Sequence, residues 1–148
     1  MPTLIGDGGH ARDIWATLPQ NVGWRQVAHH DNYFTIDRNA NPVIIGINDP
    51  MLRLEVAAMI NQDCIGWVHP NAFVGPDCTF GVGTHVNYSV GVTRTTIGEY
   101  CTIAPGVTIC GDVVIGNRVF VGAGAIIVNL TTVPDDTFIK AGTVWTQR

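Results

Sequence analysis

Residues 97–121 read IGEYCTIAPGVTICGDVVIGNRVFV, and an aliphatic residue opens every group of six in this stretch. The same spacing extends in both directions, with anchors at Val74, Phe80, Val86, Val92, Ile97, Ile103, Ile109, Ile115, Val121, Ile127, Val133 and Ile139. The spacing is broken once, between Val92 and Ile97, which are five residues apart.

A period of six matches neither the 3.6-residue repeat of a helix nor the two-residue repeat of a strand. Three short strands and three turns per coil, about eighteen residues, would bring every anchor inside a triangular prism. We therefore predict a parallel β-helix. Small residues four positions after each anchor, among them Thr96 and Cys101, are expected to point inward as well. A β-sandwich of short strands is the alternative, but a sandwich has no reason to keep this phase.

The composition of the 148-residue chain suggests a surface used for self-association. Only 14% of the residues are charged and 46% are hydrophobic, which is apolar for a small protein.

The net charge of −4 and the absence of a Lys/Arg run argue against a nucleic-acid partner. No apolar stretch is long enough for a membrane span, and the N-terminus does not resemble a signal peptide. We expect a cytoplasmic protein with no membrane partner.

The four cysteines, Cys64, Cys78, Cys101 and Cys110, lack CxxC spacing. Two of them fall at inward positions of the repeat, where other hexads have threonine or valine. They are expected to be small buried thiols rather than disulfides or zinc ligands.

The first stretch, TLIGDGGHARDIWATLP, predicts a short strand, a glycine turn and an amphipathic helix. A strand that leads into Gly8 and Gly9 aims backbone N–H groups and the positive end of the helix at one point, where a phosphate could bind. His10 follows the glycines and could hydrogen-bond a phosphate or a sugar. The alternative is a plain β-to-α turn with no ligand.

A second strand, within GWRQVAHHD, ends in His29, His30 and Asp31. Polar residues at the carboxyl end of such a strand often face the ligand crevice of a βαβ unit. Asp31 is the candidate for holding a ribose hydroxyl. A solvated loop carboxylate is the alternative.

The third strand, within PVIIGIND, is apolar enough to be buried on both faces. Gly46, near the end of this strand, would let a ligand base approach the backbone.

Asp49 is the expected N-cap of a second helix that starts at Pro50. Leu54, Ala57, Ala58 and the flanking Met and Ile of this helix are expected to pack on the sheet. A fourth strand, within DCIGWVHP, would deliver the chain to the β-helix. Residues 1–67 are thus predicted to form a β-α-β-α-β domain and residues 68–148 the β-helix.

The segments GDGGHAR, HHD, VIIGIND, HPNAFVGP and PDDTFIKAGTV occur in an order that resembles the NeuD- and PglD-like nucleotide-sugar acetyltransferases. That family joins a small Rossmann-like domain to a left-handed parallel β-helix. The resemblance implies a homotrimer that uses acetyl-CoA, without a metal, to acetylate a nucleotide-linked amino sugar for surface glycan biosynthesis, with N-acetylation favoured. It also implies a nucleotide-sugar site formed by Gly8, Gly9, His10, His30, Asp31 and Gly46.

For acetyl-CoA, the resemblance points to the N–H of Gly111 as the donor to the thioester carbonyl. Thr102, Ala123 and Ala141 match other positions along the coenzyme. For Gly111, an ordinary turn glycine is the alternative.

The predicted catalytic position departs from the family. Relatives carry a histidine two residues after an anchor and then an acidic residue, but here Arg94 and Thr95 stand at these places. Arginine stays charged and cannot act as a general base, although it could stabilise an oxyanion or hold a phosphate. Asn87 matches a polar position one hexad earlier. His85 is a further candidate base, provided by a neighbouring subunit, or else a surface turn histidine.

Two other functions therefore stay open. An altered relative could bind a sugar nucleotide without acetyl transfer. A zinc carbonic anhydrase on the same β-helix would need three converging histidines, and the predicted β-helix offers only His69 and His85.

Overall fold

The computed structural model describes residues 1–28, 42–60 and 64–148. The chain divides into two compact units, Met1–Ile65 and Gly66–Arg148. The predicted His30 and Asp31 lie outside the described residues.

The described residues of the first unit form a parallel sheet and two α-helices. The elements in this part of the chain are β1 (Thr3–Ile5), α1 (Gly9–Thr17), a 3₁₀ turn (Gln20–Val22), β2 (Arg25–Val27), β3 (Val43–Ile45) and α2 (Pro50–Ile60). The strand order is β2-β1-β3, and Thr3 of the central strand pairs with Arg25 on one side and Val43 on the other. The buried apolar strands β1 and β3 confirm the pattern expected of a parallel sheet covered on both faces.

The start of α2 is as predicted, and its buried face is as predicted only at Ala57 and Ile60. The Asp49 carboxylate accepts hydrogen bonds from the N–H groups of Met51 at 2.9 Å and Leu52 at 3.3 Å, so it caps the helix. The buried residues are Pro50, Arg53, Val56, Ala57 and Ile60. The predicted Leu54 is half-buried and Ala58 is exposed. The stripe starts at Pro50 and follows the i, i+3 spacing through Arg53, a residue that apolar patterning passes over.

The predicted fourth strand does not join the first sheet. β4 (Trp67–Val68) pairs with His85 and Val86, and is the first strand of the second unit. Before it, the N–H of Ile65 donates to the carbonyl of Val43 at 2.9 Å, which ends the first unit.

The second unit is a stack of short strands. They are β5 (Phe73–Val74), β6 (Thr79–Phe80), β7 (His85–Val86), β8 (Gly91–Val92), β9 (Thr95–Ile97), β10 (Thr102–Ile103), β11 (Thr108–Ile109), β12 (Val113–Ile115), β13 (Phe120–Val121), β14 (Ile126–Ile127), β15 (Thr132–Val133), β16 (Phe138–Ile139) and β17 (Val144–Trp145). They form three parallel sheets, β16-β13-β10-β7-β4, β17-β14-β11-β8-β5 and β15-β12-β9-β6. Each strand pairs with the third strand after it. This topology and the six-residue period fit the predicted left-handed β-helix.

The register of the strands locates the irregular hexad. Phe120 pairs with Phe138, 18 residues later, and this spacing is the rule between coils. The pairs His85 with Thr102 and Gly91 with Thr108 span only 17 residues. One coil is therefore a residue short.

The corners of the prism show where that residue is missing. A residue with a left-handed backbone conformation, that is with a positive φ, recurs at nearly every sixth position. These residues are Asp77, Gly83, Ser89, Arg94, Tyr100, Gly106, Asp112, Arg118, Gly124, Leu130, Asp136 and Gly142. The only five-residue step is from Ser89 to Arg94. Regular corners place two residues between an anchor and its left-handed residue, but only Thr93 stands between Val92 and Arg94. The missing position therefore lies between Val92 and Arg94.

The anchors form the core of the second unit, as predicted, from Val86 to Ile139. Val74 is 40% exposed and Phe80 is partly buried, because their strands are the terminal strands of two sheets. In the short hexad the inward residue is Thr95, which is buried, whereas the predicted Thr96 is exposed. The deletion shifts the inward position by one residue.

All four cysteines are free thiols, and Cys64 and Cys101 are buried. The Cys101 sulfur contacts the carbonyl oxygen of Gly116 at 3.0 Å, within the coil interior. Among the described residues, no helix is long and apolar enough to cross a membrane.

Close contact between coils predicts a strong effect of one methyl group. A Cβ on Gly81 would lie 2.5–2.6 Å from backbone atoms of Gly98 and Glu99 in the next coil, so the coils would have to separate. We expect Gly81→Ala to lower the free energy of unfolding by about 1–3 kcal/mol, the range for overpacking. Chemical denaturation at fixed protein concentration measures this loss. Gly91→Ala is the matched control, since its Cβ would meet no atom within 4 Å. Equal stability of the two variants would contradict the contact.

Candidate functional site

The first unit has a cleft at the carboxyl ends of β1 and β3. It has a volume of about 310 Å³ and is lined by residues 6–10 and 46–48. Gly6 has a φ of +125°, and a Cβ on it would come within 2.9 Å of the carbonyl oxygen of Gly46. Glycine is therefore required where the chain leaves β1. The predicted Gly8, Gly9, His10 and Gly46 are brought together around this cleft.

The N-terminus of α1 opens into the cleft. Its N-cap residue is Gly8, which contributes no side-chain hydrogen bond. A Cβ on Gly8 or Gly9 would meet no atom within 4 Å, so this side of the turn is open. The first N–H groups of a helix have no partner within the helix and carry partial positive charge. The arrangement suits an anion such as a phosphate.

His10 presents a neutral imidazole in the cleft. Burial and, as the smaller cause, the nearby charge of Arg53 together lower its pKa from 6.5 to about 4. At neutral pH the ring therefore has one nitrogen that donates and one that accepts. It can bind a hydroxyl or a phosphate oxygen through a hydrogen bond, but not as a cation.

Arg53, which sequence analysis did not select, lies beneath this cleft. It is fully buried, and its Nη1 donates to the carbonyl oxygen of Ile47 at 2.6 Å. A buried arginine is rare unless its charge is used or compensated. Its position on the apolar stripe of α2, between Pro50 and Val56, is the sequence signal that could have identified it.

Gly46 has a packing role in addition to its place at the cleft. A Cβ on this residue would lie 2.9 Å from the Cα and Cβ of Ala11, so glycine lets α1 pack against the end of β3. The expected approach of a ligand base to Gly46 stays a prediction. So do the roles of His30 and Asp31, which fall outside the described residues.

In the second unit, Arg94 and Gly111 lie together on one edge of the prism. We call this the Arg94 edge; it comprises the corners that follow β5, β8, β11 and β14. The Arg94 guanidinium lies so close to Gly111 that even a Cβ on Gly111 would overlap it. The Nε of Arg94 is 3.4 Å from the Asp112 carboxylate. Both charged side chains are about half exposed, at 49% and 54%. An anion that reached Gly111 would therefore meet a guanidinium.

Thr95 and Asn87 offer little to a ligand. Thr95 is 1% exposed, and its hydroxyl donates to the carbonyl oxygen of Thr93 at 2.9 Å. Asn87 is 4% exposed, and its side-chain oxygen accepts from the N–H of Tyr88 at 3.2 Å.

His85 is not the surface turn histidine that was one alternative expected from the sequence. It lies in β7 with no exposed surface, and its ring meets that of Trp67 edge to face at a centroid distance of 6.1 Å. Burial in one chain leaves no surface for a neighbouring subunit to contact. His69 is partly buried, and its Nδ1 accepts from the N–H of Asn71 at 2.9 Å.

The residues predicted for acetyl-CoA lie at different places on the prism. Ala123 and Ala141 are exposed on a second edge, which follows β13 and β16 and which we call the Ala123 edge. Gly111 belongs to the Arg94 edge, and the sheet β17-β14-β11-β8-β5 separates the two edges. Thr102 is fully buried in β10. One chain does not gather all four residues around one point.

A metal centre has no support in the described part of the chain. No group of three histidine, cysteine, aspartate or glutamate side chains there is placed to hold an ion.

Comparison with known proteins agrees with this architecture. Residues 94–129 match the family model of the bacterial transferase hexapeptide, six repeats. The chain has the fold of the hexapeptide-repeat acetyltransferases. No curated protein matches the sequence.

Solved structures with this acetyltransferase fold match almost the whole chain. The acetyltransferase domain of PglB from Neisseria gonorrhoeae FA1090, in complex with acetyl coenzyme A, is 17% identical, with a TM-score of 0.78 over 98% of this chain and 90% of that domain. PerB from Caulobacter crescentus, in complex with CoA and GDP-perosamine, is 21% identical, with a TM-score of 0.76 over 98% and 88%. WeeI from Acinetobacter baumannii AYE is 14% identical, with a TM-score of 0.58 over 99% and 96%.

Proposed function

We propose that this protein transfers an acetyl group from acetyl-CoA to a nucleotide-linked amino sugar, preferentially at the amine. The observation that carries the proposal is the fold match over 98% of the chain to PerB, whose structure holds both CoA and GDP-perosamine. The match includes the α/β unit as well as the coils. The cleft at the N-terminus of α1 supports it further, since a nucleoside diphosphate provides the anion that such a site favours.

In this proposal the first unit, predicted as residues 1–67, is an abbreviated Rossmann-like domain that binds the nucleotide sugar. Its parallel sheet has the order β2-β1-β3, and the ligand would bind outside the carboxyl ends of the strands. Gly8 and Gly9 would present N–H groups to the diphosphate. His10 would donate a hydrogen bond from its neutral ring.

The second unit would bind acetyl-CoA and support the transfer. The sugar amine attacks the thioester carbonyl, a C–N bond forms, the C–S bond breaks, and CoA leaves as a thiolate. The proton that the amine loses is taken up by the thiolate or by solvent. A base near pKa 7 accelerates such a step roughly 10²- to 10⁴-fold. Arg94 and the adjacent Thr95 of β9 supply a guanidinium and a buried hydroxyl in place of a base. We therefore propose slow transfer, in which Arg94 stabilises the developing oxyanion.

The missing residue also favours a second candidate function. A chain that has lost the position of the base could retain nucleotide-sugar binding without acetyl transfer. The two functions differ in turnover and share binding, so one pair of measurements separates them.

A homotrimer would bring the predicted acetyl-CoA residues of neighbouring subunits together, although these residues lie apart within one chain. Gly111 and Ala123 lie on two edges of the same prism, so a coenzyme that contacts both edges at close range needs a second copy. The sheet between the edges exposes apolar side chains, with Phe73 70%, Ile126 41% and Val144 56% exposed. Such a face is suited to association with a neighbouring subunit. The trimer, the cytosolic location and the role in surface glycan synthesis remain predictions.

Placing a charge on this face tests the assembly. We expect Ile126→Lys to convert the oligomer into monomers, because a lysine would be buried without a partner at the interface. Sedimentation velocity measures the change in mass. Val114→Lys is the matched control, because Val114 is exposed on a different sheet, β15-β12-β9-β6, and this variant should leave the oligomer intact. A wild-type monomer would contradict the proposed assembly.

Product analysis tests the function itself. The protein is incubated with acetyl-CoA and a panel of UDP-, dTDP- and GDP-linked amino sugars, and the products are examined by mass spectrometry. Acetylated sugar that survives hydroxylamine treatment would show an amide, whereas an O-ester would be cleaved. Nucleotide binding without any product supports the second candidate function. Neither binding nor product would refute both.

A further inference from the structure

The helix that follows β3 carries a charged side chain on its inner face. Arg53 of α2 has no exposed surface, and its neighbours on this face are the apolar residues Pro50, Val56, Ala57 and Ile60. Removing a guanidinium from water is costly unless hydrogen bonds replace those of the solvent. A helix that needed only to pack on the sheet would be better served by leucine or methionine. The charge therefore calls for a role other than packing.

The hydrogen bonds of Arg53 lead to one wall of the cleft. Its Nη1 donates to the carbonyl oxygens of Ile47 at 2.6 Å and Asn48 at 3.5 Å. Both acceptors lie in the segment that leaves β3 and lines the cleft. Hydrogen bonds from a charged donor are roughly twice as strong as neutral ones. Arg53 thus holds the backbone of this wall from beneath.

The charge of Arg53 also acts on His10, in the opposite wall of the cleft. It is one of the two causes that lower the pKa of His10, after burial. His10 follows the Gly8–Gly9 turn, where the open N-terminus of α1 lies. The two positive features, a buried guanidinium and a helix N-terminus, come from different helices and act on the same cleft.

We propose that Arg53 is the positioning residue of this cleft: it fixes the wall formed by residues 47 and 48 and supplies a buried positive charge that selects an anionic ligand, a nucleoside diphosphate. Arg53 does not touch the ligand in this role. It acts through the Ile47 and Asn48 carbonyls and through its field at His10. The inference rests on the proposed binding of a nucleotide sugar in the cleft.

A test must separate the effect of Arg53 from that of the other charged groups of the cleft and of the two helices. Asp7 lines the same cleft and is exposed, and the Asp49 carboxylate already accepts two N–H groups of α2. Arg12 and Asp13 of α1 are exposed. Solvent screens the exposed groups, so loss of Arg53 should change the field at His10 most.

The test compares four variants of the full chain for binding of GDP and UDP by calorimetry. Arg53→Met removes the charge and the donor, Arg53→Gln keeps a donor without the charge, and Arg53→Lys keeps the charge. Arg25→Met is the matched control, because Arg25 is exposed at the start of β2, at the opposite end of the sheet from the cleft. We expect Arg53→Met to weaken binding roughly 10- to 100-fold. Arg53→Gln should be intermediate, Arg53→Lys should restore most of the affinity, and Arg25→Met should bind as the wild type does.

An NMR titration of the His10 ring gives a readout that a purely structural role would not move. The midpoint should rise in Arg53→Met above about 4, but only part of the way to its ordinary value of about 6.5, because burial is the larger cause and remains. Arg53→Lys should keep the midpoint low. If Arg53→Met does not fold, Arg53→Gln provides the same comparison. Unchanged nucleotide binding with an unchanged midpoint overturns the proposal. If the wild type binds neither GDP nor UDP, the proposed function fails, while the His10 midpoint still tests the effect of Arg53.

Discussion

Insertion of a histidine between Thr93 and Arg94 should raise the rate of acetyl transfer. The register of the strands shows that the coil lacks one residue at this corner. Arg94 has a left-handed φ of +44°, so it occupies the same corner position as Asp112 in the next coil; we call such equivalent positions a column. Arg94 therefore occupies the place that follows the missing one. The inserted residue would restore the 18-residue coil and put an imidazole in the column of Gly111.

The expected gain is roughly 10²- to 10⁴-fold in kcat/KM for the amino sugar, the usual contribution of a general base. Initial rates across a pH series measure it, and a new limb near pH 6.5 would identify the imidazole. Inserting alanine at the same point is the matched control, since it repairs the coil without adding a base. Arg94→His should not produce the gain, because its side chain would start from the column of Asp112. An equal rate for both insertions would contradict the assignment of the gap.

A carboxylate at Gly9 should weaken nucleotide binding strongly without loss of stability. Gly9 is the first residue of α1, and a Cβ there would meet no atom within 4 Å. Glutamate in the first turn favours the helix over glycine by roughly 0.5–1 kcal/mol and also complements its dipole. The same carboxylate would repel the diphosphate in the cleft. Like charges placed together at an interface cost several kcal/mol.

We expect Gly9→Glu to weaken binding of GDP or UDP on the order of 100-fold. Thermal unfolding should show a stability equal to or above that of the wild type. Gly9→Gln has nearly the same size and no charge, so it should bind more tightly than Gly9→Glu. Similar losses in both variants would indicate steric blockage, and the anionic character of the site would then be wrong.

The β-helix was predictable from sequence because its signal is repeated in nearly every hexad. Each anchor from Val86 to Ile139 faces the same interior, so the weak preference of each hexad for an apolar residue at this position adds up to one consistent prediction of the fold. The short hexad was visible as a spacing, but sequence alone did not show on which side of Arg94 the gap falls. Backbone conformation decides this, since the left-handed corner positions set the register. The same uncertainty produced the wrong inward assignment of Thr96 in place of Thr95.

The first unit was less predictable, because its elements are short and occur once. The glycine turn and the Asp49 cap have local causes and were correctly placed. The stripe of α2 was misjudged because Arg53 counts as polar in any apolar pattern, although it is fully buried. The burial of His85 was also missed, since the two-residue strands of this repeat give little indication of which outer faces become covered.

The central claim is acetyl transfer to a nucleotide-linked amino sugar, and labelled transfer tests it most directly. The wild type and the Thr93–His–Arg94 insertion variant are incubated with acetyl-CoA carrying a labelled acetyl group and with the panel of UDP-, dTDP- and GDP-linked amino sugars. We predict that label moves to the amine of at least one sugar, slowly with the wild type and much faster with the insertion variant. Absence of labelled sugar from both folded proteins, with every member of the panel, would contradict the account.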